Sequence, residues 1–166
     1  KTSVPHIWAF GDIIGRYFFR HSANFEGEYV CRSILEGSQD PISYPPIPHA
    51  VFTNPQVAGV GLTEHECQAQ GIPVVVGKNL YENSAMGMAL LSDHGFVKVL
   101  FHAETQILLG AHIIGREAAT MCHTLIMAMV CTATCDDMMK MVYIHPALPE
   151  IVRNAVRKAH AVFSET

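Results

Sequence analysis

The sequence predicts an α+β protein in which an antiparallel β-sheet is flanked by helices and preceded by a short strand-helix tail. Three observations carry that prediction. Phe96 to Phe101 and Ile107 to Ile114 are apolar runs joined by the polar stretch His102 to Thr105, the pattern of a hairpin. Pro149 to Phe163 places Val152, Ala155, Val156, Ala159 and Phe163 on one side of a helix, a face that another layer must cover. Four of the nine prolines fall between Pro41 and Pro48, a break in composition that separates the tail from the sheet. The units expected from this break are 1–38 and 39–166.

Taken in order, residues 4 to 10 are an apolar run ending in Gly11-Asp12, which reads as a buried strand delivering a carboxylate to its edge. It would be the last strand of a sheet whose other strands lie outside the chain. On its own, Gly11-Asp12 is equally the pattern of a turn and a helix cap. From Tyr17 to Leu35, Phe19, Ala23, Val30 and Ile34 recur at helical spacing. Gly27 costs this helix up to about 1 kcal/mol relative to Ala, so another element is expected to approach closely there. His49 to Thr53 and Val57 to Gly61 read as strands on either side of Asn54-Pro55. Thr63 to Gln70 carries the Thr-x-x-Glu capping pattern with Glu66 and stops at Gly71, and Pro73 to Leu80 is a further strand. Glu117 to Val130 is helical, with Ala118, Met121, Cys122, Leu125 and Met129 on one side. Thr134 with Asp137 caps a short Met-rich helix.

Composition excludes several partners. With 49% hydrophobic and 16% charged residues the chain can bury a real core. A net charge of −4 with no run of Lys or Arg argues against nucleic acid. Apolar stretches fall short of the roughly 20 residues of a spanning helix, and the first residues lack a signal-peptide core, so no membrane contact is expected. Five cysteines without repeated spacing argue against a disulfide framework and for a reducing, cytoplasmic setting. A metal site could be drawn from Cys122, His123, Cys131 and Cys135, but the second ligand pair of a zinc site is missing. The methionines at 121, 127, 129, 138, 139 and 141 invite a copper reading, yet packing is the ordinary use of such residues. No metal is expected.

The chemistry is expected at His145-Pro146-Ala147-Leu148-Pro149-Glu150. A histidine titrates near neutrality, and a bend at Pro146 with a helix starting at Pro149 can bring His145 over Glu150. The carboxylate would fix one ring nitrogen and leave the other free to exchange a proton. The same residues also read as a His-Pro turn packed against a helix.

HPALPE at the head of a C-terminal helix closely resembles the active-site segment of the flavin-dependent pyridine nucleotide-disulfide oxidoreductases. Thr2 with Ala9-Phe-Gly-Asp12 resembles that family's second flavin-binding fingerprint, VFTNPQVAGVGLTE its opening of the interface domain, and GFVKVLFHAETQILLGAHIIG its central hairpin. The resemblance runs from about Thr2 to Val162. It implies the interface (dimerisation) domain in 39–166, preceded in 1–38 by the C-terminal remnant of the FAD-binding domain. It further implies a homodimer that uses FAD and NAD(P) to pass electrons to or from a dithiol/disulfide substrate, such as a lipoyl-bearing protein. Gly11, Asp12, Arg20 and Pro146 are the residues expected at the cofactor: Asp12 on a ribityl hydroxyl, Arg20 through its backbone, and Pro146 as the family's cis proline. His145 would serve the thiols of the opposite subunit, with Glu150 orienting it.

Two departures stand out. Phe19-Arg20-His21 replaces the usual Leu-Ala-His, and Thr120 stands where a Glu is common. Within the family, the hairpin and the interface opening favour dihydrolipoamide dehydrogenase, while HPALPE followed by IVRNA is closer to mycothione reductase. The rival reading is a stand-alone, non-catalytic dimerisation module. The chain contains no G-x-G-x-x-G, redox cysteine pair or Rossmann unit, so alone it is expected to be inactive and to bind no cofactor.

Overall fold

The computed structural model describes residues 1–37 and 40–165, so the expected boundary between 38 and 39 lies outside the described residues. Two compact units are formed, Lys1–Ile47 and Pro48–Thr166.

In the first unit, residues 4–10 do not form the expected strand. A strand is held by its ladder to a neighbour, and among the described residues this unit contains no other strand. The chain closes a turn instead: the Thr2 N–H donates to the Ile7 carbonyl and the Ile7 N–H to the Val4 carbonyl, both at 3.0 Å. A single turn of 3-10 helix follows at Gly11–Ile14. Helix α1, Arg20–Glu36, starts later than its apolar pattern predicts because Phe19 keeps extended backbone as the N-cap. Its buried positions are Ser22, Glu26, Val30 and Ser33, whereas Ile34 is exposed, so this face is more polar than the apolar spacing suggests. The close approach expected at Gly27 is the ring of Phe10, whose Cε2 lies 3.2 Å from where a Cβ would stand.

The second unit is a five-stranded, wholly antiparallel sheet in the order β1-β2-β5-β4-β3. The strands are β1 (His49–Val51), β2 (Gln56–Gly61), β3 (Val74–Leu80), β4 (Phe96–His102) and β5 (Leu108–Gly115). The predicted hairpin is the β4-β5 pair at the centre. A register shift at Leu100/Phe101 offsets its end, so Leu100 faces Gly110 and Phe101 faces Leu108.

Pairing puts Ala58 and Val60 of β2, Ala111 and Ile113 of β5, and Val97, Val99 and Phe101 of β4 on one face, all buried. Helices α4 (Ala118–Val130) and α6 (Glu150–Ser164) cover that face, α4 over β2 and β5 and α6 over β3 and β4. Their contribution matches the predicted stripes: Met121, Cys122 and Leu125 from α4, and Val152, Ala155, Val156 and Ala159 from α6. Where α6 crosses β3, Gly77 leaves no room for a side chain, since a Cβ there would stand 2.0 Å from the Ala155 carbonyl oxygen. On the opposite face Lys98 reaches Glu64 of α2 (Glu64–Ala69) at 2.7 Å. The capping boxes foreseen at Thr63/Glu66 and Thr134/Asp137 are both formed, the second opening α5 (Cys135–Met139).

One helix was not foreseen. A 3-10 turn at Tyr81–Asn83 leads into α3 (Ala85–Ala89), capped by Ser84 Oγ accepting from the Gly87 N–H at 3.1 Å. Five residues with a glycine at their centre carry no helical period to read. Tyr81, fully buried, ties this segment to the sheet by donating its hydroxyl to the Arg116 carbonyl at 2.8 Å.

Candidate active site

The first turn of α6 and the loop before it build the site. Pro149 has helical backbone, φ −58°, so its fixed ring starts the helix without strain. The Glu150 N–H donates to the Ala147 carbonyl and the Ile151 N–H to the Leu148 carbonyl, at 3.2 and 2.9 Å, which winds the loop onto the helix. The His145-Pro146 bond is cis, and the chain turns back so that His145 lies over Glu150.

Glu150 is the centre of the arrangement. Its side chain is only 6% exposed, whereas that of His145 is 68% exposed. His145 Nδ1 stands 3.1 and 3.0 Å from the two carboxylate oxygens, the Ala147 N–H donates at 3.1 Å, and Arg153 Nη2 donates at 3.2 Å. The Ala147 N–H first, then His145, and the nearby Arg153 hold the Glu150 carboxyl below its ordinary range, against the opposing effect of burial. An ionised carboxylate only accepts, so the hydrogen in the His145 contact sits on Nδ1, and Nε2 of the neutral ring keeps its lone pair. Such a pair can take up a proton at Nε2, hand it on, and return to the same tautomer.

Sequence reasoning missed two partners of Glu150. Arg153 stands three residues on, a helical spacing for acid-base pairs that could have revealed it. The Ala147 N–H left no signal, because any residue type but proline carries one.

The residues expected at the cofactor divide between the units. Pro146 lies in the His145 loop of the second. Gly11, Asp12 and Arg20 belong to the first. Gly11 is buried with φ +76°, and its N–H donates to Glu26 Oε2 at 2.6 Å. Glu26 is itself 2% exposed and accepts from the Tyr44 hydroxyl at 2.9 Å, a bracing role that no sequence pattern announced. Asp12 is exposed, with no side-chain partner among the described residues. Arg20 is exposed in the first turn of α1 and its Nε donates to Asn24 Oδ1 at 2.9 Å.

Comparison with known proteins decides the family. Residues 47–156 match the model of the pyridine nucleotide-disulphide oxidoreductase dimerisation domain. The chain belongs to this family. Among curated relatives, it is 39% identical over 162 residues to mycothione reductase of Mycobacterium tuberculosis, covering 94% of this chain and 35% of that protein. It is 36% identical over 164 residues to dihydrolipoyl dehydrogenase of Halobacterium salinarum, covering 98% and 34%. The chain thus spans about a third of the length of these relatives.

Solved structures similar to this oxidoreductase domain include LpdA from Mycobacterium tuberculosis, with a TM-score of 0.83 at 22% identity over 91% of this chain and 33% of that one. The flavoprotein disulfide reductase RclA from Escherichia coli gives 0.81 at 22% over 91% and 35%. These likenesses establish the fold: an antiparallel sheet with helices, as in the dimerisation domain of a disulfide oxidoreductase. Among the described residues no helix is long and apolar enough to cross a membrane.

Proposed function

We propose that this dimerisation domain supplies the acid/base pair of a cytoplasmic flavoprotein that passes electrons between NAD(P)H and a dithiol/disulfide through FAD. The observation that carries the proposal is the His145-Glu150 pair, whose carboxylate is buried under three donors while the imidazole stays open to a reactant. Glu150 holds the Nδ1 hydrogen; His145 Nε2 accepts a proton from a thiol as it becomes a nucleophilic thiolate and returns one to the departing thiol. In a homodimer the open edge of His145 serves the site of the opposite subunit, so association is a condition of turnover.

The first unit, as the remnant of the FAD domain, fits the flavin at Gly11, Asp12 and Arg20. Asp12 offers an unpartnered, acceptor-only carboxylate suited to a ribityl hydroxyl, and Gly11 is pinned by Glu26 at the start of the same turn. Arg20 lies in the first turn of α1, where a helix N–H has no intrahelical acceptor and can donate outward. FAD bound there supplies two-electron exchange with a disulfide.

Dihydrolipoamide dehydrogenase is the leading reading of the substrate, on the hairpin and the interface opening. Mycothione reductase is the second, favoured by HPALPE-IVRNA and by the 39% identity to that enzyme.

The test is His145→Ala in the full-length dimer. Flavin should remain bound and reducible by NAD(P)H, while turnover of the disulfide falls about a hundredfold or more, the loss typical of a positioned acid/base. Near-normal turnover overturns the assignment. Assay of the parent enzyme with lipoamide and with mycothione separates the two substrates.

A further inference from the structure

Both ends of the turn that carries Asp12 are held by one pair of side chains, Glu26 and Tyr44. Glu26 is 2% exposed in the middle of α1, and each of its oxygens has a donor: the Gly11 N–H reaches Oε2 at 2.6 Å and the Tyr44 hydroxyl reaches Oε1 at 2.9 Å. A charge this far from water is costly unless hydrogen bonds satisfy it, and an apolar side chain would fill the same space without that cost. The carboxylate is therefore there for what it holds.

Its contacts converge on the residues before Asp12. Phe10 lies against Gly27, its Cε2 3.2 Å from where a Cβ would stand, and Gly11 lies against Ala23, whose Cβ is 3.3 Å from where a Gly11 Cβ would stand. Ala23, Glu26 and Gly27 are three and four residues apart on α1, so one face of the helix grips Phe10 and Gly11 together. After the 3-10 turn the chain is held again. The Arg16 guanidinium stands 4.2 Å from the centre of the Tyr44 ring, which Tyr17 and Phe25 also flank at 5.3 and 5.9 Å. Tyr44 thus joins the far end of the turn to the carboxylate that holds its start. Between these anchors Asp12 is exposed, with no side-chain partner among the described residues.

A free carboxylate on a fixed turn is a preorganised acceptor, because a ligand need not order the turn as it binds. We propose that Glu26, with Tyr44, is a positioning residue for FAD, fixing the turn so that the Asp12 carboxylate stands ready for a ribityl hydroxyl; this rests on the flavin reading of the first unit. The chemistry of the pair says which replacement preserves it. Glu26→Gln still offers an oxygen to the Gly11 N–H, and its amide donates to the Tyr44 oxygen, which can accept as well as donate. Glu26→Leu offers neither and leaves the N–H of the buried Gly11 without its acceptor.

The experiment measures the FAD affinity of the full-length apoenzyme by flavin fluorescence, for each Glu26 variant alone and combined with Asp12→Ala. Glu26→Leu should weaken FAD about tenfold or more, while Glu26→Gln should stay within about threefold of the parent. Once Asp12→Ala has removed the acceptor, Glu26→Leu should add less than about threefold, since residues that act through one another are not additive. Tyr44→Phe keeps the ring against Arg16 and removes only the hydroxyl; it should weaken FAD about threefold or more, and it carries the test if Glu26→Leu does not fold. Parent-like affinity in Glu26→Leu or, in its place, Tyr44→Phe overturns the positioning role. So do losses that add in full beside Asp12→Ala, which would mean that the pair holds the unit together without acting through Asp12. Unchanged affinity in Asp12→Ala alone refutes the flavin reading itself, and the positioning role falls with it.

Discussion

Replacing Gly77 by Ala tests how the sheet and α6 jointly set the geometry of the candidate site. The added Cβ would stand 2.0 Å from the Ala155 carbonyl oxygen and 3.0 Å from the Ala159 Cβ. An ordinary C···O contact is about 3.3 Å, so the backbone of α6 must retreat by roughly 1.3 Å. Backbone cannot swing aside as the end of a long side chain can. A radial gap of that order forfeits a quarter to a half or more of each dispersion contact made by Val152, Ala155, Val156 and Ala159, all fully buried. Overpacking of this kind costs about 1–3 kcal/mol, and the backbone contact places Gly77→Ala at the upper end, about 3 kcal/mol.

With a urea slope of about 1.5 kcal/mol per molar, the midpoint should fall by about 2 M. Gly71→Ala is the internal control. Gly71 has φ +67° with nothing within 4 Å, so it pays only the left-handed penalty of about 1–2 kcal/mol. The retreat of α6 should also reach the site, because Glu150 lies five residues before Ala155, about 7.5 Å along the helix. Nitrogen chemical shifts of His145 should then move in Gly77→Ala and stay fixed in Gly71→Ala. If Gly77→Ala lowers the midpoint no further than Gly71→Ala, the close approach does not hold the helix in place and the reasoning fails.

Two further outcomes are expected. The carboxyls of Glu66, Asp137 and Glu150 are held low, chiefly by the Thr63 N–H, the Thr134 hydroxyl and the Ala147 N–H respectively. Their stabilisation is complete above the unfolded carboxyl pKa of about 4 and is lost as pH falls through the lower folded values, so thermal midpoints should drop steeply below about pH 4; a flat profile from pH 5 to 2.5 contradicts this. Burial pushes the Cys122 and Cys135 thiols up to about 11, and Cys67 is also buried with a raised pKa, while Cys31 and Cys131 are exposed. Brief iodoacetamide treatment near neutral pH, read by peptide mass spectrometry, should therefore modify Cys31 and Cys131 and spare the other three; equal labelling of Cys122 or Cys135 would contradict their place in the core.

Elements whose own sequence carries a local signal were legible. The β4-β5 hairpin shows as two apolar runs around a polar turn, α6 repeats its stripe from Val152 to Ala159, and the Thr63 and Thr134 caps announce themselves by a carboxylate three residues on. Where the partner decides the outcome, the reading failed. Residues 4–10 have the composition of a buried strand, but composition cannot supply a ladder, and the segment closes a turn instead. The buried face of α1 went unread because Glu26, a charged residue, turns inward to hold the Gly11 N–H and the Tyr44 hydroxyl. In the candidate site the His145-Glu150 contact was foreseen from the bend and the helix start, whereas the Ala147 N–H, a backbone group, was not.

That backbone donor bears on how the proposed acid/base pair would work. Were His145 the only donor to Glu150, the carboxylate would be both the orienter of the ring and a rival destination for its proton, because burial disfavours its charge. The Ala147 N–H and Arg153 can donate whether or not His145 is protonated, so in the proposed acid/base role they would favour the ionised carboxylate throughout. Protonation of the ring can then occur only at Nε2, the edge left open by its 68% exposure. In the proposed role the first turn of α6 would therefore assign direction, the proton entering and leaving on the exposed edge of the ring. A base built this way would serve a reactant presented from outside the domain, which is the arrangement the proposed function requires if the histidine is to act on a neighbouring subunit's thiols.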